Sequence, residues 1–126
     1  MQTTVNFGLK KPEGTDVISI NDLNDNADAI DQELKRQTEI KTVSLPASGW
    51  TGSVAPYSQT ADVAGILATD TPVLIKMLTG TETEAAVKAY NKAFGLIFAG
   101  ETADGSVTFS AYKKPAVDLT VGLKGE

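Results

Sequence analysis

The stretch Ile20-Asn21-Asp22-Leu23-Asn24-Asp25-Asn26-Ala27-Asp28-Ala29-Ile30-Asp31-Gln32-Glu33-Leu34 decides how this chain is built. Ile20, Leu23, Ala27, Ile30 and Leu34 are spaced three, four, three and four residues apart, which lays one apolar row along a helix. Polar side chains fill nearly every position between them. The spacing predicts a helix from about Asp22 to about Thr38, roughly 25 Å long at 1.5 Å per residue. Asn21 or Ser19 suits its N-cap, and early Asp residues with Lys35-Arg36 at the far end follow the helix dipole. A helix of this length is marginal alone in water, so the row needs a partner. Identical copies of the chain are the expected partner, with Ile20, Leu23, Ala27, Ile30 and Leu34 as the oligomer interface.

The flanking segments differ from the helix and from each other. Residues 1–19 carry Pro12, Gly8 and Gly14 and few apolar side chains, which predicts an extended anchoring arm with a short strand over Asp16–Ile20. Phe7, Leu9, Val17 and Ile18 have no core of their own there, so packing on a neighbour is preferred to a loose terminus. Residues 20–40 are the oligomerisation helix, and residues 41–126 read as a compact β-rich α+β domain.

Within that domain Ile40 to Leu45 alternates and stops at Pro46, which suits a first strand. Weak alternation over Tyr57–Ala64 suggests another strand, and Pro72–Leu78 reads as a buried one closed by Gly80. Thr81-Glu82-Thr83-Glu84 fits a capping box with Thr81 as the cap, opening a helix from about Glu82 to Phe94 with Gly95 as its stop. Ala86, Val87, Tyr90, Ala93 and Phe94 then share the face that packs on a sheet. Ala103-Asp104-Gly105 marks a hairpin turn between strands at Leu96–Glu101 and Ser106–Tyr112. Val117, Leu119, Val121 and Leu123 give a last alternating strand.

Composition narrows the chemistry. There is no cysteine and no histidine, so disulfides, thiolate metal sites and Ser-His or Cys-His catalysis are excluded by residue type. Eleven basic against sixteen acidic residues give a net charge of −5, with the cations dispersed, so no nucleic-acid partner is expected. No apolar run approaches the roughly 18 residues of a bilayer span, and the first residues lack the pattern of a signal peptide, so neither a membrane partner nor export is expected.

Asn6-Phe7-Gly8-Leu9-Lys10-Lys11-Pro12-Glu13-Gly14-Thr15-Asp16, followed by Ile20 through Asp31, resembles the N-terminal segment of tail-fibre and baseplate-appendage proteins of phages and prophages of low-GC Gram-positive bacteria. In those proteins an N-x-x-L-x-K-P-x-x-x-D arm leads into an N-x-N-x-x-x-I-D helix. Leu45-Pro46-Ala47-Ser48-Gly49-Trp50 and Ala103-Asp104-Gly105-Ser106-Val107-Thr108-Phe109 also resemble the compact domain that ends some short tail proteins. The resemblance implies a virion structural protein without enzymatic activity or cofactor, a homotrimer located in the tail and assembled in the host cytoplasm. It also implies that residues 1–19 engage other tail or baseplate proteins. The row of Ile, Leu and Ala does not itself fix the strand number.

Two further sites compete with structural explanations. Asp22, Asn24, Asn26, Asp28 and Glu33 occupy positions 1, 3, 5, 7 and 12 of a calcium loop, but position 6 is Ala27 rather than the turn-forming Gly, so a solvated helix face is preferred and no metal is expected. Trp50 on a Gly-rich loop, joined by Tyr57 and Tyr112, would make a platform for host cell-wall glycan. A Trp plugging the small core is the preferred alternative. Glu82, Glu84, Glu101, Asp104 and Asp118 contain no pair at a recognisable glycosidase spacing, and no enzymatic activity is expected.

Overall fold

In the computed structural model every residue except Ile18 is described, and the chain separates into two units, Met1–Thr38 and Glu39–Glu126. The first holds two short strands, β1 (Gln2–Thr3) and β2 (Lys10–Lys11), and a helix, α1 (Ile20–Thr38). β1 and β2 pair antiparallel, and Thr4 closes the hairpin by donating its N–H to the Leu9 carbonyl at 2.8 Å while its hydroxyl accepts from Leu9 N at 2.9 Å. The arm therefore doubles back rather than running extended, and it docks on its own helix.

The cause is a four-residue latch. The Asn26 side-chain amide offers a donor and an acceptor side by side, matching the backbone of Lys10: Lys10 N–H donates to Asn26 Oδ1 at 2.8 Å and Asn26 Nδ2 donates to the Lys10 carbonyl at 2.7 Å. The Lys10 ammonium sits 2.8 Å from Asp22 and 2.6 Å from Asp25, and these carboxylates raise its pKa. The strand expected over Asp16–Ile20 is absent at its described positions. Asp16 instead turns the chain by accepting from Glu13 N–H at 2.7 Å, Ile20 opens the helix, and Ile18 lies outside the described residues. Helix α1 starts two residues earlier than expected, so Asn21 is inside it and Ser19 precedes it.

The second unit contains β3 (Ile40–Leu45), one 3-10 turn (Ala47–Gly49), β4 (Tyr57–Asp62), β5 (Val73–Lys76), α2 (Glu84–Gly95), β6 (Ile97–Ala103), β7 (Ser106–Ala111) and β8 (Leu119–Lys124). The strands form two antiparallel three-stranded sheets, ordered β3-β8-β5 and β4-β7-β6. The α+β class and the β-rich character of this segment agree with the sequence. Alternation supplies the core: Val43 and Leu45 from β3, Leu119, Val121 and Leu123 from β8, and Val107, Phe109 and Ala111 from β7 are buried together with Trp50 and with Tyr90 and Ala93 of α2. The hairpin between β6 and β7 turns at Asp104-Gly105, where φ of +81° calls for glycine. That turn also anchors the preceding long loop, because Val63 N–H donates to the Gly105 carbonyl and Ala68 N–H to Asp104 Oδ1.

Two expectations for this unit change. β5 is an edge strand with Val73 exposed, so the Pro72–Leu78 run is only half buried. The cap of α2 is Thr83, whose hydroxyl accepts from Ala86 N–H at 3.2 Å, rather than Thr81. Glu82 decides this: its carboxylate accepts from the N–H groups of Thr79 at 2.7 Å and Gly80 at 2.9 Å and from the Thr79 hydroxyl at 2.9 Å. The turn holds residues 79–82 out of the helix.

Helix α2 is fastened where β5 and β8 part. Their ladder ends at Lys76↔Val121, and the next pair in register would be Met77 with Thr120. The Tyr90 hydroxyl takes that rung, accepting from Met77 N–H at 3.0 Å and donating to the Thr120 carbonyl at 2.7 Å. One phenol thereby satisfies two backbone groups that the diverging strands would leave open.

Candidate interaction surfaces

The predicted oligomer interface is laid out as one row along α1. Ile20 is 74 % exposed, Leu23 51 %, Ile30 47 % and Leu34 56 %, and Ala27 between them is exposed as well. The arm covers the neighbouring face instead, where Asp22, Asp25 and Asn26 grip Lys10. Phe7 and Leu9 of the arm lie with Ala29, Ile30, Glu33 and Leu34 around a shallow groove of about 120 Å³ that runs along one side of the row. Among the described residues of Met1–Thr38 none is buried. A unit of this size with no buried side chain lacks the core that would hold it folded. Val5, Phe7 and Val17 on the arm are exposed in the same way.

The three aromatic residues expected to share a glycan platform part company. Trp50 is 4 % exposed and belongs to the core, as the preferred reading of its loop expects, so it has no part in that platform. Paired hydrogen bonds between Thr51 and Ser58 hold its loop beside β4. Tyr57 is half buried, with the Lys114 ammonium 5.1 Å from its ring centre. Tyr112 alone is open to solvent, at 63 % exposure, and its ring stacks on Phe98 at 4.4 Å between centres and 15° between planes. Phe98 had no place in the sequence-based site because it fell inside a strand pattern, where nothing marks one residue as turned outward.

Four of the five acidic candidates have structural partners, and Glu101 stands on the outer side of β6 beside Thr108. Glu84 pairs with Lys88 at 2.9 Å, Asp104 accepts from Ala68 N–H and Asp118 from Ala47 N–H, while Glu82 holds its turn. Four donors around the Glu82 carboxylate, the Thr79 N–H first, then its own N–H, the Thr79 hydroxyl and the Gly80 N–H, lower its pKa to about 2. The calcium-loop residues lie on a continuous helix, which spreads them around its axis, and Asp22 and Asn26 are engaged by Lys10. Among the described residues no group of three or more acidic side chains is placed to hold a metal ion, and no helix is long and apolar enough to cross a membrane.

The two sheets also leave a cleft of about 420 Å³, floored by Leu74, Val107, Phe109 and Leu123 and rimmed by Asp70 and Thr102. The Thr102 hydroxyl donates to the Asp70 carbonyl at 2.8 Å across that rim. Comparison with protein-family models, curated proteins and solved structures finds no match to this chain.

Proposed function

We propose that this chain is a non-enzymatic structural subunit of a phage-type tail, a tail-fibre or baseplate appendage that works as a homo-oligomer. The observation that carries this is the N-terminal unit: 38 residues with an apolar row along α1 and no buried side chain among those described. Self-association through Ile20, Leu23, Ala27, Ile30 and Leu34 gives that unit the core it lacks. The resemblance of the arm and helix motifs to tail appendages supports the setting, and it implies three chains. In this proposal the exposed Val5, Phe7 and Val17 engage other tail or baseplate proteins, and the virion tail is where the protein resides.

The mechanism is geometric. A bundle of α1 helices ties several copies of the Glu39–Glu126 module together, so that weak sites on each copy act at a high effective concentration. Sedimentation velocity of the full chain at micromolar concentration tests the proposal, with a trimer expected and a monomer refuting it.

A carbohydrate-binding module remains the second reading, now favoured by the exposed Phe98–Tyr112 pair and no longer by Trp50.

A further inference from the structure

We infer that Phe98 and Tyr112 form the platform of a neutral-saccharide site on the outer face of the β4-β7-β6 sheet. This rests on the second reading above, which it deepens by naming the site and the sugar class, and it does not depend on self-association. The site starts with an irregularity in the strand register. β6 and β7 pair as Ile97↔Ala111 and then as Ala99↔Ser110, so β6 carries one extra residue. A bulge of this kind re-aims a side chain. Ile97 stays packed against the core, and Phe98 is left 51 % exposed beside Tyr112. Tyr112 continues the outward row of β7 one step past Ser110, since Val107, Phe109 and Ala111 take the inward positions.

The surroundings select the ligand class. The outward row of β7 is Ser106, Thr108 and Ser110, facing Asp62, Thr60 and Ser58 of β4 in register, with Glu101 of β6 beside Thr108. Thr60 and Thr108 share a hydroxyl–hydroxyl bond of 2.8 Å. Hydroxyls that donate and accept, next to carboxylates that only accept, match a polyol. The two rings cover each other on one side and leave a face apiece, and the electron-rich ring face attracts the weakly positive C–H face of a pyranose. The charged groups within these outward rows are Asp62 and Glu101, both anionic, so an acidic sugar is disfavoured. Of the lysines that follow Tyr112, Lys114 lies over Tyr57, and Lys113 lines a separate depression with Lys92 and Leu96. Size argues against a protein partner: one aromatic pair at the end of a row of hydroxyls falls far short of the roughly 800 Å² per side that a standard protein interface buries.

The test titrates the full chain with maltohexaose, with the tetramer of N-acetylglucosamine, and with a galacturonate hexamer as anionic control, followed by NMR of the aromatic side chains and by calorimetry. At least one neutral oligomer is expected to bind saturably and to shift the Phe98 and Tyr112 ring signals. Phe98→Ala and Tyr112→Ala should each weaken it by about tenfold or more, whereas Tyr112→Phe, which keeps the ring, stays within about threefold of wild type. Unchanged circular dichroism and sedimentation of these variants separate a lost site from lost folding or lost assembly. Absence of binding by both neutral oligomers, preference for the galacturonate, or full binding by both alanine variants overturns the inference. In the first case a contact with another protein is the assignment that replaces it.

Discussion

Replacing Leu23 and Ile30 together by Asp attacks the proposed bundle at the middle of its row. Ile20, Leu23, Ile30 and Leu34 together expose the equivalent of a little over two whole aliphatic side chains. Complete burial of such a side chain is worth about 1.5–3 kcal/mol, so closing the row yields about 3–7 kcal/mol per chain. Three chains multiply this to about 10–20 kcal/mol, against an association cost of about 4–15 kcal/mol for each partner immobilised. The balance is close enough that losing two of the four anchors decides it. Leu23→Asp with Ile30→Asp removes nearly half of the gain and sets carboxylates into the seam, where burying them unpaired is costly. Sedimentation velocity and light scattering should show a monomer at micromolar concentration. Far-UV circular dichroism should lose part of its helical signal too, because α1 without its partners is marginal. Gln32→Glu, on the polar side of the same helix, is the control and should leave the mass unchanged. A double variant that keeps the wild-type mass would refute the bundle.

Other consequences can be measured on the second unit. Tyr90→Phe removes the rung between Met77 N–H and the Thr120 carbonyl, and should lower the unfolding free energy by about 1–3 kcal/mol in urea denaturation with no change in slope. Gly122→Val should destabilise by about 1–3 kcal/mol in the same assay, since even a Cβ at Gly122 would lie 2.8 Å from Ile75 Cγ1 and 2.9 Å from Met77 Sδ. The pKa of Glu82 is lowered to about 2 in the folded chain, below its ordinary 4.5, so its support of the Thr79–Glu82 turn is complete above about pH 4.5 and is lost as the pH falls toward 2. Carboxyl NMR should place its midpoint near 2, with the Thr79 and Gly80 amide signals moving in step, and a midpoint near 4.5 would remove the turn from the account.

Much of the fold is legible because local patterns carry it. The three-four spacing of Ile20 to Leu34 marks α1, and alternation marks β3, β7 and β8, since both signals depend on residues within one element. Pairing is another matter. A period of two looks the same whether a strand joins one sheet or another, so neither the division into two sheets nor the partnership of β3 with β8, some eighty residues apart, can be read from alternation. The arm misleads for a similar reason: its partner is Asn26, and an Asn in a polar helix face looks solvated until the Lys10 backbone is brought to it. Of the three aromatic residues weighed for a platform, Trp50 lies in the core, where the sequence reading preferred to put it, and Tyr112 is open to solvent. A lone Trp on a Gly-rich loop has the same local signature whether the loop presents it or folds it under. Phe98 is concealed by its bulge, because one extra residue in β6 reverses which side chains face water and leaves no mark in composition.

The pairing of the first and last strands of the second unit has a practical meaning. Ile40 lies opposite Lys124, and Gly125 N–H reaches the Glu39 carbonyl at 3.2 Å, so the backbone enters and leaves at one doorway. A body with a single doorway behaves as a cassette: it can be lifted out, exchanged for another, or spliced into a surface loop of an unrelated carrier without parting the carrier's own backbone by more than a few ångströms. In the proposed appendage, that is a route by which the module is exchanged while the helix that bundles it stays the same.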